Sequence, residues 1–167
     1  PNFIIQGDTI GVTAPSAGIK EKDFIRLNNV KSNLNNLGYK YIETKNVRNS
    51  KMGRSADAKI RAEQFMDLWN NKEVSSIIMA TGGDFLCEIL EYLDFDEISK
   101  GKIKWIQGYS NITTLSFIFT TMLDIATIYG PNIKAYGMRN LYKNLTDSIK
   151  IMEGKNGLMT HGNIAKQ

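Results

Sequence analysis

Apolar residues along this chain follow two spacings, short continuous runs and repeats of three or four positions. The short runs are rich in isoleucine, valine and threonine, and they predict five buried strands at residues 9–14, 39–43, 75–80, 103–107 and 125–129. The longer repeats lie between these runs and predict amphipathic helices. Strands that alternate with helices are typical of α/β folds built on a parallel sheet.

The helical repeats define the faces that we expect to be buried. The first helix is expected to end at Gly38, and the second to begin at Ser55 and Asp57. Between them, residues 44–54 are polar and basic and predict an exposed loop. The expected core positions of the five helices are Phe24, Leu27, Val30, Leu34 and Leu37; Ile60, Phe65, Met66 and Trp69; Phe85, Ile89 and Leu90; Leu115, Phe119 and Met122; and Leu141, Leu145, Ile149 and Met152.

Together these elements predict a three-layer α/β/α sandwich around a mainly parallel sheet. Residues 1–150 are expected to form one α/β domain, a size that suits a full hydrophobic core. Residues 151–167 contain three glycines and little apolar periodicity. They predict a linker or the truncated start of a missing C-terminal domain.

Composition narrows the class of protein. A hydrophobic content of 42% with 23% charged residues argues against wholesale disorder, and neither a membrane span nor a signal peptide is predicted. The net charge is +4, but the lysines are spread along the chain, so no nucleic-acid surface is expected. One cysteine excludes an internal disulfide and fits a reducing cytoplasm. One histidine leaves too few ligands for a usual zinc site, and no cofactor is expected.

Small residues follow the predicted strands, and parallel sheets bind ligands beyond the carboxyl ends of their strands. The most informative corner is Gly108-Tyr109-Ser110, where a strand runs directly into a helix. This layout is typical of a serine nucleophile that is raised to the sheet edge and faces the free N–H groups of a helix. Helix capping by the serine is the alternative interpretation. Ile112, where hydrolase elbows usually have a second glycine, weakens the motif.

A second corner, Gly82-Gly83-Asp84, follows the preceding strand. Its glycines would let backbone N–H groups approach a substrate carbonyl, and Asn111 would supply another donor beside the serine. The same corner could cradle a phosphate at a helix start, as in a nucleotide-dependent kinase, or form only a tight turn. Tyr109 flanks the candidate nucleophile and belongs with it to the predicted substrate-binding set.

Other reactive side chains favour structural interpretations. Cys87 lies inside a predicted helix and is expected to be a buried thiol. His161 lies in the glycine-rich tail and is expected to be solvated. The acidic residues that surround the second corner fit helix-end charge complementation and surface solvation; they are Asp84, Glu88, Asp94 and Asp96.

Taken in order, several segments resemble the LD-carboxypeptidase superfamily of serine peptidases, particularly its microcin C immunity-type branch. The resemblance covers nearly the whole chain. It rests on Ile-Gly-Val-Thr-Ala-Pro-Ser at 10–16, Ala-Thr-Gly-Gly-Asp at 80–84, Tyr-Leu-Asp-Phe at 92–95, Gly-Tyr-Ser-Asn-Ile-Thr at 108–113 and Tyr-Gly-Pro-Asn at 129–132.

The resemblance implies a bacterial cytoplasmic hydrolase of two domains. In that family a C-terminal, β-rich domain adds a glutamate and a histidine to the serine, which here would be Ser110. Substrates would be amide bonds near the carboxyl end of murein peptides, in peptidoglycan recycling, or of peptidyl- and aminoacyl-nucleotides, in antibiotic immunity. The family usually has aspartate where this chain has Asn111.

Two further expectations follow. Without the triad glutamate and histidine, the 167 residues alone should be nearly inactive. An apolar face left open by the missing domain favours a homodimer, and no membrane partner is expected. The alternative function is a non-catalytic α/β domain that binds a carboxylate or a nucleotide.

Overall fold

The computed structural model describes residues 1–155, which form five strands and five α-helices. The strands are β1 (Thr9–Thr13), β2 (Lys40–Glu43), β3 (Val74–Met79), β4 (Trp105–Gly108) and β5 (Ile128–Tyr129). The helices are α1 (Phe24–Asn36), α2 (Ala58–Asn70), α3 (Phe95–Lys100), α4 (Thr113–Met122) and α5 (Lys143–Met152). Five short 3-10 helices cover Glu21–Asp23, Lys45–Arg48, Leu86–Tyr92, Ser110–Ile112 and Ile133–Gly137.

The strands form one parallel sheet in the order β2-β1-β3-β4-β5. In the middle of the sheet, Val12 of β1 lies opposite Glu43 of β2 on one side and Ile78 of β3 on the other. The chain therefore builds the sheet outward in one direction from β1 to β2 and in the opposite direction from β3 to β5. This reversal opens a crevice at the carboxyl ends of β1 and β3.

Alternate residues of the strands belong to two separate hydrophobic cores, because successive side chains of a strand point to opposite faces of the sheet. Ile78 and Ala80 pack with α1 and α5, whereas Ile77 and Met79 pack with α2, α3 and α4. Both faces of the sheet are thus covered by helices. The predicted three-layer α/β/α sandwich with a parallel sheet is confirmed.

An aromatic cluster anchors the core between α2 and α4. The rings of Phe65 and Trp69 stack with centroids 6.2 Å apart, and Phe119 meets both rings edge-on at 6.1 and 5.3 Å. All three side chains are buried. Edge-to-face pairs add to the free energy that burial of large rings supplies.

Several sequence predictions about burial are wrong. Within the loop expected to be exposed, Asn46 and Val47 are buried, because Asn46 donates from Nδ2 to the carbonyl of Ala14 at 3.0 Å. Met122 is 71% exposed at the last turn of α4, and Ile60 is 42% exposed on α2. The helix predicted after residue 84 is a 3-10 helix over Leu86–Tyr92, and the short helix α3 was not predicted.

Helix α5 packs on the core that contains Ile78 and Ala80 through Leu145, Ile149 and Met152, as its spacing predicts. The N-terminal segment is bonded to the C-terminal end of α5, because the N–H of Ile4 donates to the carbonyl of Met152 at 2.9 Å. The domain boundary at residue 150 stays a prediction, and most of the segment 151–167, including His161, lies outside the described residues. Within residues 1–155, no helix combines the length and apolarity that crossing a membrane demands.

The aromatic cluster yields a stability prediction with a matched control on the same helix. We expect Phe119→Ala to lower the free energy of unfolding by about 3–5 kcal/mol, because it removes a fully buried ring and leaves a cavity. Phe117→Ala, whose ring is 64% exposed, is expected to change it by less than about 0.5 kcal/mol. Denaturant titration followed by circular dichroism measures both. Equal losses would contradict the assignment of the cluster to the core.

Candidate functional site

Three loops meet at the carboxyl edge of the sheet, one after each of β1, β3 and β4. The loop after β1 is residues 14–18, the loop after β3 is residues 81–85, and the loop after β4 is residues 109–111. The strands β1, β3 and β4 are neighbours in the sheet, so their loops are neighbours as well. This edge contains the crevice between β1 and β3, where the order in which strands are added to the sheet reverses.

Ser110 stands at the end of β4 with a strained backbone. Its φ is +67°, in the left-handed region that non-glycine residues rarely adopt, and the residue is exposed. The corner is held on both sides: the N–H of Tyr109 donates to Asn132 Oδ1 at 3.2 Å, and Thr113 Oγ1 donates to the Ser110 carbonyl at 2.6 Å. Strain of this kind is characteristic of functional corners.

The glycine corner touches the serine directly. A Cβ atom at Gly82 would lie 2.8 Å from Ser110 Cβ and 2.9 Å from Ser110 Oγ, closer than real contacts allow. Only glycine therefore fits at position 82 beside this serine. Gly83 follows with a φ of +151°, a conformation that also requires glycine.

Two backbone donors lie in the loops beside Ser110. The Asn111 N–H lies in the first turn of its helix, where no intrahelical acceptor exists, and among residues 1–155 the Gly83 N–H has no hydrogen-bond acceptor either. The carbonyl of Gly82 accepts from the Ala17 N–H at 3.4 Å. Because the peptide is trans, the Gly83 N–H points the opposite way, away from the β1 loop.

A polar cleft of about 720 Å³ opens beside Ser110. Its walls carry three lysines and two acidic residues together with the glycine corner. The charged and site residues that line it are Lys20, Lys22, Asp23, Gly82, Gly83, Asp84, Tyr109, Ser110 and Lys134. A smaller cavity of about 320 Å³ lies on the other side of Tyr109, against Tyr129 and Pro131.

One ion pair fixes part of the cleft wall. Lys134 Nζ lies 3.1 Å from Asp23 Oδ2, and this hydrogen bond, together with the charges of Lys22 and Arg26, lowers the pKa of Asp23 although its burial opposes the shift. Lys20 and Lys22 are exposed at the rim. Side chains of this kind attract carboxylate or phosphate groups.

The LD-carboxypeptidase N-terminal domain family matches residues 10–130 of this chain. The chain belongs to this family. Its relatives include the microcin C7 self-immunity protein MccF of Escherichia coli, 31% identical over 93% of this chain and 46% of that protein. A Vibrio cholerae protein named as a candidate carboxypeptidase is 29% identical over 77% of this chain and 38% of that protein.

Solved structures agree with this LD-carboxypeptidase assignment. The apo structure of MccF superposes with a TM-score of 0.85 at 28% identity, covering 93% of this chain and 47% of that one. MccF has also been solved with aspartyl sulfamoyl adenosine and with glutamyl sulfamoyl guanosine. A muramoyltetrapeptide carboxypeptidase of Oxalobacter formigenes shares the fold, with a TM-score of 0.72, 21% identity and coverage of 86% and 47%. This chain spans about half the length of MccF.

In this LD-carboxypeptidase domain, a buried arginine that the sequence analysis missed supports the site. Arg61 of α2 is fully buried, and its Nη1 donates to the carbonyls of Pro15 at 2.9 Å and Phe85 at 2.8 Å. Its Nη2 pairs with Glu88, and Arg54 pairs with the same carboxylate at 2.9 Å. Arg61 therefore binds the loops after β1 and β3 to each other. No local sequence pattern predicted this role, because Arg61 is far in sequence from the residues that it contacts.

Other candidates lie apart from the serine. Cys87 is exposed, so the predicted buried thiol is wrong: Leu86 and Ile89 are the buried positions of this 3-10 helix, and its three-residue turn directs Cys87 outward. Asp94 caps α3 by accepting from the Glu97 N–H at 2.8 Å, a structural role as predicted. Within residues 1–155, Ser110 Oγ has no hydrogen-bond partner, and the single histidine, His161, is outside that range.

The arginine network makes a pH prediction for this LD-carboxypeptidase domain. Hydrogen bonds from Arg54 and then Arg61 lower the pKa of Glu88 to about 2, although its desolvation opposes the shift. The unfolded chain binds this proton near pH 4.5, so the stabilisation is complete above that pH and is lost as the pH falls toward 2.

We expect Glu88→Gln to lower the melting temperature at pH 7 and to flatten its fall between pH 5 and pH 2.5, as measured by circular dichroism. The exposed carboxylate of Glu63, on the same helix as Arg61, provides the control, and Glu63→Gln should leave the acid profile unchanged. The lowered pKa values of Asp23 and Asp147 remain in both variants, so a part of the slope persists. An unchanged slope in Glu88→Gln would contradict the role of the network.

Proposed function

We propose that this domain supplies the nucleophile of a serine carboxypeptidase and that Ser110 is that nucleophile. The observation that carries the proposal is the contact between an exposed serine with a φ of +67° and the Gly82–Gly83 corner. The family membership supports it, because the family consists of serine peptidases of the LD-carboxypeptidase type. A corner that only terminated a strand would not need both a strained serine and an obligatory glycine beside it.

The proposed reaction is acyl transfer in two steps. Ser110 Oγ attacks the carbonyl carbon of an amide, and the new C–O bond forces the carbonyl oxygen to become an oxyanion. The N–H groups of Asn111 and Gly83 are the proposed donors to that oxyanion. The C–N bond then breaks, the amine leaves with a proton, and water hydrolyses the ester to release the acyl group.

A general base must take the proton of Ser110, because a neutral hydroxyl is a weak nucleophile. The carboxylates that line the cleft are Asp23 and Asp84, and Asp23 is engaged by Lys134. As the family resemblance implies, we assign the base to a glutamate–histidine pair of a β-rich C-terminal domain. Homodimerisation and a cytoplasmic location stay predictions.

The proposed substrates carry an anionic group next to the scissile amide. The lysines of the cleft favour a free carboxylate or a phosphate, and the volume of about 720 Å³ accommodates a small peptide or a nucleotide conjugate. The MccF complexes hold aminoacyl sulfamoyl nucleosides, which join an amino acid to a nucleoside through a sulfamoyl group. We propose murein peptides or peptidyl- and aminoacyl-nucleotides, cleaved near their carboxyl ends.

A second candidate is a non-catalytic domain that binds a carboxylate or a nucleotide. The observation that favours it is the lysine-lined cleft without a base beside Ser110 among residues 1–155. In that case, ligand affinity measured by calorimetry would survive Ser110→Ala, and no acyl-enzyme would form.

The first test uses the complete protein that contains this domain. We expect Ser110→Ala to lower kcat/KM on an aminoacyl sulfamoyl nucleoside or a murein tetrapeptide by on the order of 10⁶, because it removes the nucleophile. Mass spectrometry should find the acyl adduct on Ser110 in the unmodified protein and none in the variant. Ser99→Ala, at an exposed serine of α3, is the control and should keep full activity. Hydrolysis retained in Ser110→Ala would contradict the proposal.

The second test compares this chain with the complete protein. Residues 1–167 alone should hydrolyse the same substrates slower by on the order of 10⁶, because the proposed glutamate and histidine belong to the C-terminal domain. Circular dichroism must show a cooperative melting transition for the isolated chain, so that inactivity reflects missing residues rather than unfolding. Equal rates for the two proteins would show that the base lies within this chain.

A further inference from the structure

Ser16 occupies the point where the three loops of the site meet. It lies in the loop after β1 and is fully buried. Its Oγ accepts a hydrogen bond from Asn111 Nδ2 at 2.8 Å and a second from the Phe85 N–H at 3.3 Å. One hydroxyl therefore links the loop after β1 to the loops after β3 and β4.

The same loop also supports the glycine corner. A Cβ atom at Gly83 would lie 2.6 Å from Ser16 Oγ and 3.1 Å from Ala17 Cβ, so the backbone of Gly83 packs directly against Ser16. The Ala17 N–H holds the carbonyl of Gly82 at 3.4 Å. The peptide that carries the Gly83 N–H thus rests on residues 16 and 17, and Asn111, which carries the other proposed donor, is bonded to Ser16 through its side chain.

Loss of this hydroxyl has a definite consequence for Asn111. Among residues 1–155, the bond to Ser16 is the one hydrogen bond of the Asn111 side chain, since its Oδ1 is buried without a partner. Without Ser16 Oγ, the side-chain amide of Asn111 and the Phe85 N–H both lose an acceptor that lies at a fully buried position. Partly buried donors left without an acceptor favour a rearrangement of their loops.

We propose that Ser16 is a positioning residue that sets the spacing between the backbone N–H groups of Asn111 and Gly83. It does not touch the substrate and takes no proton. It acts through the loops that carry the oxyanion donors, and a displacement of about 1 Å at such donors is enough to cost about 100-fold in rate. This role rests on the proposed function of Ser110.

The experiment uses Ser16→Ala in the complete protein, with Ser76→Ala as the matched control. Ser76 is an equally buried serine of β3, and its hydroxyl has no partner among residues 1–155. We expect Ser16→Ala to lower kcat by about 10–100-fold with KM within about threefold, because the donors act mainly in the transition state. Ser76→Ala should leave both constants unchanged.

Two further readouts separate positioning from a general loss of stability. In residues 1–167, the ¹⁵N–¹H resonances of Gly83 and Asn111 should shift in Ser16→Ala and stay in place in Ser76→Ala. The double variant Ser16→Ala/Asn111→Ala should be no slower than Ser16→Ala alone, because both changes remove the same bond. If Ser16→Ala does not fold, Asn111→Ala, which keeps the backbone N–H, should show the loss of kcat by itself.

The outcomes distinguish this proposal from the one on which it rests. An inactive Ser110→Ala variant combined with an unchanged kcat in folded Ser16→Ala, or in Asn111→Ala, overturns the positioning role alone. Unmoved Gly83 and Asn111 resonances overturn it as well. Hydrolysis that survives Ser110→Ala overturns both proposals.

Discussion

The buried guanidinium of Arg61 is the constraint on which the candidate site of this domain depends. A cation without water is tolerated only where acceptors surround it, and here two loop carbonyls and the Glu88 carboxylate provide them. The same bonds that satisfy the charge prevent the loops after β1 and β3 from separating. Arg54 completes the network by pairing with Glu88 and stacking 3.4 Å over the Phe85 ring. Removal of one partner would leave the buried guanidinium charge uncompensated, which is costly in an apolar surrounding. The network therefore fixes the two loops as a unit.

Most of the fold was predictable because parallel strands and amphipathic helices leave local patterns. The strand at residues 75–80 and the helix around Leu27, Val30 and Leu34 are examples, and both were found close to their predicted bounds. The errors occurred where burial depends on distant partners. Val47 is buried because the polar loop around it folds back on β1 through Asn46, which no periodicity reveals. Met122 is exposed because α4 ends there, so the helical spacing no longer places its side chain over the core.

The candidate site shows the same division. Ser110 and Gly82 could be selected as candidates from the sequence because each follows a strand, and the structure brings them together because β3 lies beside β4. Their supporting residues were not identified, because a hydrogen bond that spans 95 residues, such as that between Asn111 and Ser16, has no counterpart in local spacing. Asn132 lies after β5 and accepts a hydrogen bond from the Tyr109 N–H. Its supporting role was not identified for the same reason. Sequence patterns indicate where chemistry is located, whereas tertiary contacts determine its geometry.

The left-handed backbone at position 110 has a consequence for how this domain would change over many substitutions. A side chain in that conformation costs on the order of 1 kcal/mol relative to glycine, which adopts it freely. Selection for folding alone would therefore favour glycine at this position. A lineage that kept only a ligand-binding role would be expected to lose its hydroxyl at this site first and to become more stable in doing so.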